Sequence, residues 1–98
     1  MNTRIESLVG IARRAGKIAS GDAQIEAMFK KRKGYLLIIA EDAHGAQKKY
    51  SQWAKDIKLP VIIAGTKLEL GCSIGLSPRS AVLVLDQGFA KAILLARS

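Results

Sequence analysis

Along the chain, apolar positions switch repeatedly between helical spacing and short unbroken runs. Ile5, Leu8, Val9 and Ala12 recur on one helix face. Thr3 and Glu6 stand before and among them at capping-box spacing, and Gly16 suits the exit. Ser20 is placed to cap a second helix, in which Ile25, Met28 and Phe29 share a face, and Gly34 punctuates its end. The run from Tyr35 to Ala40 does not alternate, so it predicts a strand buried on both faces. Residues 44–56 return to helical spacing, with Tyr50, Trp53, Ala54 and Ile57 as the apolar set. Pro60 introduces a second buried strand, Val61–Ala64. Thr66 and Glu69 repeat the capping-box spacing, and the short helix they open should end at Gly71. Ala81–Leu85 predicts a third buried strand, and Phe89, Ala90, Ile93 and Leu94 mark a last helix. Lys17–Ala19 suits an edge strand.

Buried strands alternating with helices predict an α/β domain with helices on both faces of the sheet. Neither a linker nor a repeat interrupts the pattern, so residues 1–98 are expected to form a single domain. The longest apolar runs are strand-sized, well short of a membrane span, and the beginning of the chain does not look like a secretory signal. One cysteine excludes an internal disulfide framework and a cysteine-rich zinc site. A soluble protein of a reducing, cytoplasmic compartment is expected.

Charge adds a partner. The chain has 16 Lys and Arg against 8 Asp and Glu, a formal net charge of +8. Residues 1–58 hold 12 of the basic and 6 of the acidic residues, so the first half builds most of the positive surface. Such a surplus suits a polyanion, most often a nucleic acid.

Several segments carry candidate chemistry. In Ala15–Gln24, Gly21 beside a helix start permits close approach of another backbone, the first N–H groups suit a phosphate or base edge, and Gln24 can pair with a base. The segment is not a phosphate-binding P-loop, because Ile18 stands where the hydroxyl residue belongs. Lys30, Lys31, Arg32 and Lys33 offer cations to phosphate, or simply a solvated helix end. In Gly65–Arg79, a short capped helix runs into a glycine-rich loop with Leu76 at its tip, then Pro78 and Arg79. An apolar tip flanked by cations fits an unstacked base and its phosphates. Cys72 reads as a small buried filler, and Tyr50 and Trp53 as core. Glu41, Asp42, Asp86, Thr66 and Lys67 would suit a Mg²⁺-dependent phosphoacceptor pocket if they converged.

These stretches, taken with Ile39–Ala43, the Lys-x-x-Leu-Gly-x-x-x-Gly pattern of Lys67–Gly75 and the ending Asp86–Lys91, resemble the ribosomal L-seven-Ae superfamily of kink-turn RNA binders. Within it they resemble the short bacterial YlxQ type. The resemblance spans essentially the whole chain. It implies a three-layer α-β-α sandwich with a mixed, mostly buried sheet of about four strands. It implies a noncatalytic, cofactor-free, monomeric protein that binds ribosomal RNA, or a structured messenger RNA with a kink-turn, on or near the ribosome. A helix start would read sheared G·A pairs, and a loop would shelter a flipped nucleotide. By position, the helix-start motif falls on Gly21, Asp22, Ala23 and Gln24, preceded by Ser20 and reaching Ala27. The flipped-base pocket falls on His44, Lys48, Lys67 and Arg79, and the selectivity loop on Leu76, Ser77 and Pro78. Lys17, Lys30 and Lys31 would add phosphate contacts. The family motif commonly reads Gly-x-Asn-Glu-x-x-Lys; Ala23 and Ala27 replace its Asn and Lys. Two alternatives follow from those replacements and from the carboxylates: a diverged member that binds other RNA or a protein, and the phosphoacceptor.

Overall fold

A computed structural model describes residues 2–97. The elements run α1 (Thr3–Arg14), β1 (Ile18–Ser20), α2 (Asp22–Lys30), β2 (Leu36–Ile39), α3 (His44–Asp56), β3 (Val61–Ile63), α4 (Lys67–Ser73), β4 (Ala81–Val84) and α5 (Gln87–Ala96). One mixed sheet has the order β1-β4-β2-β3. Strand β4 is antiparallel to β1 and β2, while β3 is parallel to β2. Helices α1, α4 and α5 pack together as one layer. Helices α2 and α3 meet in the other through edge-to-face contacts among Phe29, Tyr50 and Trp53. Every residue of β2 and β4 is buried, as expected for central strands covered on both sides.

Three local expectations are corrected. Asn2, not Thr3, caps α1. Its Oδ1 accepts from the N–H groups of Arg4 and Ile5, and its Nδ2 donates to the Ala96 carbonyl at 2.9 Å, pinning the start of α1 to the end of α5. Strand β3 is an edge, not a buried strand: Ile63 is 48% exposed. Cys72 is exposed rather than a buried filler.

Four helices end alike. After each of α1 to α4 the chain turns into positive φ at Gly16, Arg32, Lys58 and Gly75. The next N–H then reaches back five residues, from Lys17 to Ala12, Lys33 to Met28, Leu59 to Ala54 and Leu76 to Gly71. These are Schellman closures, whose turning residue is usually glycine. Arg32 (φ 54°) and Lys58 (φ 55°) carry side chains there instead, at a backbone cost of about 1–2 kcal/mol each.

A partly buried hydrogen bond fastens the two layer-mates α2 and α3. The Tyr50 hydroxyl donates to Asp22 Oδ1. Burial first, and then this bond and the Asp22 charge, hold the phenol well above its ordinary pKa. The protonated phenol is therefore favoured in the folded chain. Its contribution is complete below the unfolded value of about 10 and is lost as pH rises beyond it. Tyr50→Phe is expected to lower stability at neutral pH by about 1 kcal/mol, a modest value because the exposed Asp22 is screened by solvent. It should also flatten the fall in stability between pH 9 and about 11. Urea midpoints measured across that range check both.

Candidate RNA-binding surface

The sheet register sorts the chain ends of its strands. Ser20 stands opposite Val82, and Ile39 opposite both Ile63 and Ala81. The ends of β1, β2 and β3 and the start of β4 therefore share one rim. From it spring the starts of α2, α3 and α4, and onto it the α4–β4 loop descends.

Side-chain caps are distributed unevenly among the helix starts. Asn2 and Asp86 cap α1 and α5. Helix α4 has the expected capping box of Thr66 and Glu69, and Asp42 Oδ1 accepts from the Lys67 N–H at 2.9 Å. Gly21 and Ala43, before α2 and α3, supply no side-chain cap. The free N–H groups of both helices, with their partial positive charge, are thus presented on the same rim.

Ser20 does not cap α2 as expected; Gly21 does the turning, at φ 86° and ψ 145°, a region open essentially to glycine. Ser20 instead donates its N–H to Gln24 Oε1 at 3.1 Å. This holds the Gln24 side chain across the helix start and leaves its amide NH₂ as a donor for a ligand. Asp22 Oδ1 accepts from the Tyr50 hydroxyl, which ties the start of α2 to α3. Ala23 and Ala27 are exposed one turn apart.

The loop is set by α4. That helix does not stop at Gly71 but runs to Ser73, and buried Gly71 lies against the backbone of Ser77 and Pro78. Leu76 is 37% exposed at the tip. Arg79 folds back: its Nη1 donates to Ser77 Oγ at 2.8 Å and to the carbonyls of Ser77 and Pro78, while its own N–H donates to the Lys67 carbonyl at 3.0 Å. Its Nε is buried without a partner, alone in this among the side-chain polar atoms of the described residues. A buried donor left open is costly unless something fills it.

Loop and helix start meet. Gly21, Asp22 and Ile25 on one side and Pro78, Arg79 and Ser80 on the other wall a recess of about 160 Å³. Ser20, Ala23, Gln24, Leu76 and Ser77 are chain neighbours of its walls, Lys67 is bonded to Arg79 through its carbonyl, and the same rim carries His44 at the exposed start of α3, with Lys48 one turn on. It does not gather Lys17, Lys30 or Lys31. Lys17 precedes Ile18, which pairs with Val84, and Lys30 and Lys31 close α2 ahead of Leu36, which also pairs with Val84. All three sit at the opposite end of the sheet. Ile25 and Ser80 were not among the expected site residues. Ile25 carried the periodicity of a core residue, which it also is, and Ser80 carried no signal.

The phosphoacceptor alternative fails on topology. Antiparallel β4 carries Asp86 to the far end from Glu41 and Asp42, and both Asp86 and Asp42 are occupied as helix caps. Among the described residues no cluster of three or more His, Cys, Asp or Glu could hold a metal, and no helix is long and apolar enough to cross a membrane.

The chain is similar to known proteins along most of its length. The model of the "Ribosomal protein L7Ae/L30e/S12e/Gadd45 family" matches residues 3–94. The chain is 33% identical over 88 residues to the RNA-binding protein YlxQ of Bacillus subtilis, covering 89% of this chain and 88% of that one. It is 29% identical over 83 residues to the large ribosomal subunit protein eL8 of Thermoplasma volcanium, covering 83% and 69%. Among solved structures, a Bacillus halodurans C protein of unknown function superposes with a TM-score of 0.89 at 28% identity, over 95% of both chains. The Giardia lamblia 15.5kD RNA binding protein shares the fold, with a TM-score of 0.80 at 19% identity over 96% of this chain and 82% of that one.

Proposed function

This chain belongs to the ribosomal protein L7Ae/L30e/S12e/Gadd45 family, and from that membership we propose that it is an RNA-binding protein whose ligand is a kink-turn or similarly bent RNA of a ribosomal or messenger transcript. The carrying observation is the recess between the uncapped start of α2 and the Pro78–Arg79 loop, with the unpartnered Arg79 Nε in its wall. A straight duplex offers a regular groove too shallow or too narrow for two such elements at once. A bend brings a base edge to the α2 N–H groups and Gln24, and turns an unstacked nucleotide toward Leu76, Lys67 and Arg79. The names of the relatives agree with RNA as the ligand class.

Titration with a kink-turn and with a straight duplex of equal charge tests this reading. Tighter binding of the kink-turn is expected; equal affinities with equally steep salt dependence would reject specific recognition. Gln24→Ala should narrow the gap between the two RNAs, since a lost base contact weakens only the bent one, by about tenfold or more. Lys30→Ala, at the far sheet end, should leave the gap intact, weaken both RNAs about equally and reduce the salt slope by about one. The reverse pattern would move the reading surface away from α2.

A further inference from the structure

The far end of the sheet carries a second opening. Its residues lead into β2 and β3 and out of β4, whose ends there are fixed by the pairing of Leu36 with Val84 and Leu37 with Val61. It is a groove of about 540 Å³, in the size range of small-molecule and nucleotide sites. Leu94 helps floor it; Tyr35, Gln87 and three cations, Arg32, Lys58 and Lys91, line it, with no carboxylate in the lining. The flanking carboxylate Asp86 is turned to the Phe89 N–H as a helix cap.

Two features distinguish this groove from an ordinary solvated basic surface. Tyr35 is 47% exposed and is the one large exposed aromatic among the described residues. And the two cations held in left-handed backbone are Arg32 and Lys58, both on this groove, whereas the turns after α1 and α4 use glycine. Glycine would relieve the backbone at both positions but could not reach a phosphate. Charge at the end of a helix favours Lys or Arg generally, yet it does not require them at the one position where a side chain is strained, nor that both strained positions line the same groove.

We propose that this groove binds a segment of single-stranded RNA, one base stacked on Tyr35 and its flanking phosphates held by Arg32, Lys58 and Lys91. An exposed aromatic beside cations is the arrangement that takes up unpaired nucleotides without reading sequence. The inference stands independently of the kink-turn reading, because the two surfaces lie at opposite ends of the sheet.

The test uses a labelled eight-nucleotide oligoadenylate followed by fluorescence anisotropy. The parent chain should bind it. The double variant Arg32→Gly, Lys58→Gly should bind at least about tenfold more weakly, with a shallower salt dependence by about 1.4 for two lost phosphate contacts. Its melting temperature should not fall below the parent's, so weaker binding cannot be ascribed to unfolding. Tyr35→Ala should weaken binding by about five- to a hundredfold with the salt slope unchanged. Gln24→Ala should leave oligoadenylate binding as it was, and the groove variants should keep their preference for a kink-turn over a duplex, so that either surface can fail alone. Arg13→Ala, a cation lining a different recess, is the charge control. Absence of oligoadenylate binding, or variants that bind it like the parent, would overturn the proposal. So would an oligoglutamate peptide that binds as tightly and is lost in the same variants, which would make the groove an acidic-peptide site.

Discussion

Gly71→Ala is expected to lower stability by about 1–3 kcal/mol and to weaken kink-turn binding at least about tenfold. Helix propensity alone predicts the opposite, since alanine gains about 1 kcal/mol over glycine inside a helix. The added methyl, however, would stand 2.2 Å from the Ser77 carbonyl oxygen, 2.6 Å from its carbon and 2.8 Å from Pro78 Cα. All three are backbone atoms, so no rotamer change can clear them. Ordinary contact begins near 3.4 Å, so α4 and the loop must part by more than 1 Å. That loop carries one wall of the recess. A displacement of this size separates Arg79 from the start of α2 and breaks the simultaneous contact on which the proposed bent-RNA recognition depends. Urea unfolding and titration with kink-turn and duplex measure the two effects together. Unchanged stability, or intact kink-turn preference in the face of a displaced loop, would show that the loop does not help to form the reading surface.

Gly71 also shows where sequence reading reaches its limit. Its place in Lys67–Gly75 was legible as a motif, but a glycine after four helical residues looks the same whether it ends a helix or admits another backbone. Only the descent of Ser77 and Pro78 onto α4 decides between them. The same holds for Val61–Ala64, an apolar run that reads as buried. Its neighbour on one side is β2, and on the other there is none, so Ile63 faces outward. Local chemistry was legible where the partners are close in sequence. Thr66 and Glu69 form the capping box that their spacing announces. Thr3 and Glu6, at identical spacing, do not, because Asn2 one position earlier takes both N–H groups.

The proposed binding surface divides in the same way. The helix-start glycine and the apolar loop are local motifs, and both could be picked out along the chain. Their meeting depends on β4 running antiparallel to β1 and β2, which no local pattern states. That single reversal brings Arg79 to Gly21 and sends Asp86 away from Asp42, while the lengths of β1 and α2 put Lys17, Lys30 and Lys31 on the far side. Counting charge therefore overstated one surface, because cations close in sequence to the α2 start stand at the other end of a short strand or helix.

Ala23→Asn is expected to tighten kink-turn binding by about ten- to a hundredfold while leaving a straight duplex unaffected, the worth of one good base contact. Position 23 is the second residue of α2, exposed, and one step from Gln24. An asparagine there enters open solvent and displaces nothing. Its lower helix propensity costs roughly 0.5 kcal/mol, less than the contact it would supply. Gln24 is the one side chain of this turn that can donate to a base edge, since Asp22 is an acceptor and its Oδ1 is taken by Tyr50. A cycle of Ala23→Asn, Gln24→Ala and the double variant then tells whether the two side chains address one ligand. Residues that share the G·A pairs of a single bend should be coupled, so the gain from Asn shrinks when Gln24 is removed. Additive effects, or an equal gain on the duplex, would mean that the start of α2 meets only the RNA backbone, and that discrimination of the bend resides in the loop alone.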